Sequence, residues 1–102
     1  MNERAREVLI EAAMQGVPQI KGKLRDGYGG FCAGGVLIKA YLEEQGLAWS
    51  IFSWGQPVLV HYDMSNEEWE DMVDANNNLD WDFLTIARKI GVPREEVEFE
   101  RS

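Results

Sequence analysis

The single cysteine and the single histidine are the residues best suited to nucleophilic chemistry. Cys32, His61 and Asn77 follow one another in the order of a thiol nucleophile, a base and an amide that orients the base. Cys32 also lies in the first turn of a predicted helix, whose N-terminal dipole would stabilise a thiolate. One hypothesis is therefore a cysteine hydrolase. The alternative is that Cys32 is a small apolar residue packed into a helix face.

A glycine-rich stretch over residues 27–35 is the second candidate site, because three cations precede it. Lys21, Lys23 and Arg25 alternate along the chain directly before the glycines. Free N–H groups at a helix start, together with glycines and cations, suit a phosphate or carboxylate. The sequence thus predicts a small anionic, nucleotide-like ligand, although it has no phosphate-loop or dinucleotide fingerprint. The loop residues assigned to this site are Tyr28, Gly29, Gly30, Phe31, Gly34 and Gly35.

The acidic segment between Asp63 and Asp82 is a third candidate, this time for a protein partner. It has eight acidic residues and no Lys or Arg. A helix is predicted there, and its exposed carboxylates would enter a basic groove on a partner as a nucleic-acid mimic does. The alternative is an ordinary solvated helix face. The carboxylates assigned to this acidic face are Glu67, Glu70, Asp71 and Asp74.

Side chains with oxygen ligands recur at alternate positions over residues 74–82, a pattern that can indicate a calcium site. Their spacing is that of an EF-hand loop, but Leu79 and Thr85 stand where such a loop needs Gly and a bidentate Glu. We therefore predict a turn followed by a helix cap, and neither a metal nor a cofactor. The residues of this alternative metal site are Asp74, Asn76, Asn78, Asp80 and Asp82.

Length and charge limit the class of protein. The 102 residues fit a single domain, residues 1–102. The net charge of −8 argues against direct binding of nucleic acid, which needs Lys and Arg on phosphates. One cysteine fits a reducing compartment, and no apolar run approaches the roughly 20 residues of a membrane span. These features predict a cytoplasmic protein without a membrane partner.

Hydrophobic spacing and caps predict an α+β fold of four or five short helices with a small antiparallel β-hairpin. Helices are expected over residues 3–15, 32–45, 66–76 and 82–90, with Asn2 and Ser65 as caps and Gly46 as a stop. The aromatic and β-branched runs 48–54 and 58–62, separated by Gly55-Gln56-Pro57, predict the hairpin. Its aromatic surface leaves a homodimer open. The predicted core is Val8, Leu9, Phe31, Val36, Leu37, Tyr41, Trp69, Met72, Phe83, Ile86 and Ile90.

The string Phe-Cys-Ala-Gly-Gly-Val-Leu over residues 31–37 resembles the signature of small uncharacterised phage and actinobacterial-type proteins. In that family an Asn-Asp pair and an aromatic-led helix with Ile-Ala follow. Asn77-Asn78 and the segment 83–87 stand at those places here, with Asn78 for the usual Asp. The resemblance implies a phage-like protein but no reaction. We therefore predict a small non-enzymatic binding protein that acts on a host or partner component, with the Cys32 hydrolase as the alternative.

Overall fold

The computed structural model describes residues 1–49 and 56–91, and these form an all-α fold. The predicted helices are confirmed, whereas the α+β class is wrong, because the described residues contain no β-strand. The five helices are α1 (Glu3–Met14), α2 (Ala33–Gln45), α3 (Gln56–His61), α4 (Asn66–Asn77) and α5 (Phe83–Lys89).

Four of the helices begin at a side-chain cap that the local sequence supplies. The side chains of Asn2, Ser65 and Asp82 each accept the backbone N–H of the third residue that follows. Cys32 caps α2 in the same way, with its sulfur 3.4 Å from the amide nitrogen of Gly35. Each cap satisfies one of the N–H groups that the first helical turn leaves without a partner.

Helix α3 replaces the second strand of the predicted hairpin. The amide of Tyr62 donates to the carbonyl of Val58 at 3.1 Å, which is the spacing of an α-helical turn. Val58 and Leu59 are buried whereas Val60 is 74% exposed, so one side of this turn faces the core. Pro57 is tolerated because it lies in the first turn of the helix. A short apolar run fits a buried helix as well as a strand, and here no partner strand among the described residues pairs with it.

The core lies between α1, α2 and α5, and α4 covers its other side. Helix α1 packs mainly on α5 and next on α2. Helix α2 is the most enclosed element, with every residue from Ala33 to Ile38 buried. Eight of the eleven predicted core residues are buried, and Phe31, Tyr41 and Trp69 lie partly buried at its edge. Buried residues that the prediction left out include Ile38, Leu42, Val58, Tyr62, Met64 and Asn76.

The glycines of α2 allow the preceding loop to lie directly against the helix. A Cβ atom on Gly35 would overlap the backbone carbonyl oxygen of Leu24. A Cβ on Gly34 would lie 2.8 Å from Cζ2 of Trp69. Close backbone and aromatic packing therefore offsets the roughly 1 kcal/mol that each glycine costs within a helix.

Several predicted features lie outside the described residues. They are residues 50–54 of the first hairpin strand, including Phe52 and Trp54, and Gly55 of the predicted turn. Within residues 1–49 and 56–91, no helix has both the length and the apolar character needed to cross a membrane.

Candidate functional site

A groove of about 590 Å³ lies between α1 and α2. We call it the α1–α2 groove. Its floor is apolar and comes from both helices and from the loop between them: Val8, Ala12, Val17, Phe31, Val36 and Ala40. Its rim is polar and mostly charged, with Gly29 at one edge: Arg4, Glu11, Gln15, Lys39, Glu43 and Glu44.

The groove follows the length of the two helices, which run antiparallel. Its α1 residues recur at helical spacing from Arg4 to Gln15, so they form one stripe about 16 Å long. An ion pair between Arg4 and Glu44 lies at one end. The loop residues Val17 and Phe31 lie at the other end. The small side chains of Ala12 and Ala40 leave the depth of the groove unfilled.

The carboxylate of Glu44 joins three helices at the Arg4 end of the groove. Oε1 of Glu44 accepts from Nε and Nη2 of Arg4 at 2.9 and 2.7 Å. Oε2 of Glu44 lies 2.8 Å from Nε2 of His61 on α3. Arg4 first, and His61 to a smaller extent, hold the pKa of the Glu44 carboxyl below its usual value. The Arg4 pKa is raised by the same contact.

The structure does not bring the residues of the hydrolase hypothesis together. Cys32 caps the start of α2, whereas His61 contacts Glu44 near its end. Twelve residues of helix separate these two points, which is about 18 Å. Asn77 accepts the amide of Gly22 at 3.1 Å and contacts neither. Cys32 is buried, and its sulfur already accepts the Gly35 amide.

The glycine-rich loop uses its own amides internally. The N–H groups of Tyr28 and Gly30 both donate to Oδ1 of Asp26, at 2.7 and 3.0 Å. These bonds, with Tyr28 first, hold the pKa of Asp26 below its usual value. The amides of Phe31 and Cys32 donate to the carbonyls of Pro18 and Leu24. The carboxylate of Asp26 thus lies where an anionic ligand would bind.

The three cations of the predicted ligand site point to different partners. Lys21 forms an ion pair with Asp80. The guanidinium of Arg25 lies 4.4 Å from the ring centroid of Trp49. Lys23 and Tyr28 are exposed, and Lys23 lies close enough to Asp26 to contribute to its lowered pKa. The cations therefore do not converge on one point.

The acids of the alternative metal site also have other partners. Asp74 accepts from Nδ2 of Asn78 at 2.7 Å, and Asp80 pairs with Lys21. Asp82 caps α5, and its hydrogen bonds from Thr85 lower its pKa. Among the described residues no group of three or more His, Cys, Asp or Glu side chains has the arrangement of a metal site.

The four carboxylates of the predicted acidic face are all exposed on α4. None of them takes part in an ion pair within the described part of the chain. By contrast, Glu68 on the same helix binds the amino group of Met1 instead of reaching back to Ser65. The acidic face therefore presents negative charge to solvent: Glu67, Glu70, Asp71 and Asp74.

Comparisons of the chain with protein-family models, curated proteins and solved structures give no match. The resemblance of residues 31–37 to phage and actinobacterial proteins therefore stays a prediction.

Asn76 and the α1–α2 groove are the features that sequence reasoning missed. Asn76 is 1% exposed, and its Oδ1 accepts from Nε2 of Gln19 at 2.7 Å and from the amide of Ala33 at 3.1 Å. Its Nδ2 donates to the carbonyl of Ile20 at 2.8 Å. The run Asn76-Asn77-Asn78 indicated a turn, and nothing in it distinguished the buried amide. The groove had only a weak signal, the alanines at helical spacing.

Proposed function

We propose that this protein is a non-enzymatic binding protein that holds a segment of a protein partner in the α1–α2 groove. The observation that carries the proposal is the apolar floor enclosed by charged side chains of two helices. An apolar centre with a polar rim is the usual composition of a protein interface. The volume of about 590 Å³ also lies within the usual range of binding pockets.

The shape of the groove favours a peptide segment over a compact small molecule. A length of about 16 Å accommodates roughly three turns of a helix or five residues of extended chain. The polar rim residues lie along the two long sides, where they would bind backbone or side-chain groups of such a segment. Helices that lay an apolar face into a groove are a recurrent mode of peptide recognition.

Capture of a small anion at residues 21–35 has less support. That function needs amide donors and converging cations, and both are engaged within the chain, by Asp26, Asp80 and Trp49. The hydrolase has less support still, because Cys32 and His61 lie at opposite ends of α2. We therefore place the partner in the groove and assign no reaction.

The acidic face of α4 supplies the long-range part of the proposed function. Its four exposed carboxylates, which form no ion pair with another described residue, and a net charge of −8 would accelerate association with a basic partner. Because the chain resembles phage proteins, we propose that the partner is a host component. The lone cysteine of the chain favours the cytoplasm as the place where the two meet.

Selection from a random-peptide library tests this proposal. Peptides selected on the native protein should bind it and lose affinity for Ala40→Gln, which places an amide on the groove floor. Ala13→Gln is the matched control, because Ala13 is also a partly buried alanine, on α1 but outside the groove. Both variants should keep the native melting temperature within a few degrees. Equal affinity for the native protein and for Ala40→Gln would contradict the groove as the binding site.

A further inference from the structure

The α1–α2 groove already holds one cation of the chain itself. The ammonium nitrogen of Lys39 lies 5.9 Å from the ring centroid of Phe31 and 2.6 Å from Oε1 of Glu43. All three residues line the groove. An aromatic face and a carboxylate together form a site that favours a positive charge over a neutral group.

From this arrangement we infer that the partner segment is cationic and amphipathic. One of its Lys or Arg side chains binds between Phe31 and Glu43, where Lys39 lies in the free protein, while its apolar side chains cover the groove floor. This inference rests on the proposed function, since it names the chemistry of the segment that the groove takes.

Lys39 is readily displaced because its contacts are weak. The Lys39–Glu43 pair joins positions i and i+4 on one exposed helix face, with the two side chains 47% and 64% exposed. Such pairs stabilise a helix by only about 0.3–0.5 kcal/mol. The Arg4–Glu44 pair differs, because both oxygens of Glu44 have partners. We therefore expect Arg4 to stay in place while Lys39 moves aside.

The charge of the rim selects the sign of the partner. Three carboxylates and two cations line the groove. Glu11 has no cationic partner among the ion pairs of the described residues, and its side chain accepts a hydrogen bond from Gln15 at 3.4 Å. An acidic segment would be repelled by the carboxylates of Glu11 and Glu43. An arginine suits the position best, because its planar guanidinium stacks on a ring and binds a carboxylate at the same time.

A designed peptide provides the probe. We would use a fluorescein-labelled amphipathic helix of about 12 residues, with leucines on one face and arginines on the other, since that length spans the groove. A second peptide carries glutamine in place of every arginine. Fluorescence anisotropy gives the dissociation constants, and we expect the arginine peptide to bind the native protein more tightly than the glutamine peptide.

Two pairs of variants distinguish binding of the arginine between Phe31 and Glu43 from general electrostatic attraction. Glu43→Gln should weaken the arginine peptide about fivefold, whereas Glu3→Gln, an equal charge change outside the groove, should not. Lys39→Gln should tighten binding about twofold, because the arginine no longer has to displace the weak Lys39 contact. Its matched control is Lys89→Gln, because Lys89 lies 5.2 Å from the ring centroid of Trp81, outside the groove.

The outcomes distinguish this inference from the proposed function. Equal effects within either pair of variants would overturn the inference, because charge alone would then explain binding. Equal affinity for the two peptides, with binding that Ala40→Gln removes, would overturn the inference and keep the groove. Binding of neither peptide, or binding that Ala40→Gln leaves unchanged, would overturn the inference and count against the groove itself.

Discussion

The side-chain oxygen of Asn76 accepts the backbone N–H of Ala33, the first residue of α2, at 3.1 Å. The two residues are 43 positions apart in the sequence, and both are buried. The same side chain binds Gln19 and Ile20, so one amide joins the end of α4, the start of α2 and the loop that precedes it. The loop that Asn76 contacts also contributes Val17 and Phe31 to the α1–α2 groove.

Replacement of Asn76 should therefore be among the most destabilising polar substitutions in the chain. Asn76→Ala removes the partner of the buried Ala33 amide and of the partly buried Ile20 carbonyl, which should cost about 3 kcal/mol of unfolding free energy. Asn78→Ala is the matched control. Asn78 is exposed and its side chain donates to Asp74 on its own turn, so the loss of unfolding free energy in Asn78→Ala should stay within about 0.5 kcal/mol. Urea unfolding measures both, and equal losses would contradict the role of Asn76.

The two glycines at the start of α2 should differ in their response to alanine. Alanine favours a helix over glycine by roughly 1 kcal/mol, so an open site would be stabilised. At Gly35 the new methyl group meets the backbone of Leu24, which cannot move independently, and we expect a loss of about 3 kcal/mol. At Gly34 it meets the ring of Trp69, which can shift slightly, and the loss should be smaller. Thermal unfolding of both variants checks this order, and a stabilised Gly35→Ala would contradict the close approach.

The thiol of Cys32 should react slowly with iodoacetamide in the native state. It is buried and caps α2, so labelling requires the helix start to open. His61→Ala should leave the labelling rate unchanged, because His61 lies near the other end of α2. Rapid labelling that His61→Ala abolishes would instead support the cysteine hydrolase.

A substitution series at Cys32 tests the cap itself. Cys32→Ser retains an acceptor for the amide of Gly35, whereas Cys32→Ala removes it and should cost about 1 kcal/mol. The difference between the serine and alanine variants is the relevant quantity, since both lose the sulfur. Equal stabilities of the two variants, measured by urea unfolding, would show that the sulfur does not act as a cap.

Acid should weaken the contact of three helices at Glu44. Its pKa in the folded protein is lowered by Arg4 and then by His61, so the contact stabilises the fold above the ordinary glutamate pKa. That stabilisation is lost as the pH falls through the lowered, folded-state pKa. Glu44→Gln should therefore lower the melting temperature at pH 6 and have less effect near pH 3. Glu70→Gln is the control, because no ion pair of the described residues includes Glu70. An effect of Glu44→Gln that is independent of pH would contradict this assignment.

The sequence by itself determined where most helices begin and end. The caps at Asn2 and Ser65 were readable because a cap binds an amide only three residues away. The burial of Leu9, Leu37 and Ile86 was readable for the same reason, since apolar spacing within a helix is also local.

Only the tertiary structure decided the features that depend on distant residues. The run 58–60 became a helix because Val58 and Leu59 bury against a core that its own composition does not specify. Asn76 differs from Asn78 in having partners far away in the chain. The groove exists because α1 and α2 pack antiparallel and bring Ala12 and Ala40 to one floor. Local patterns fix the conformation of each segment, but packing energy between segments determines which side chains meet.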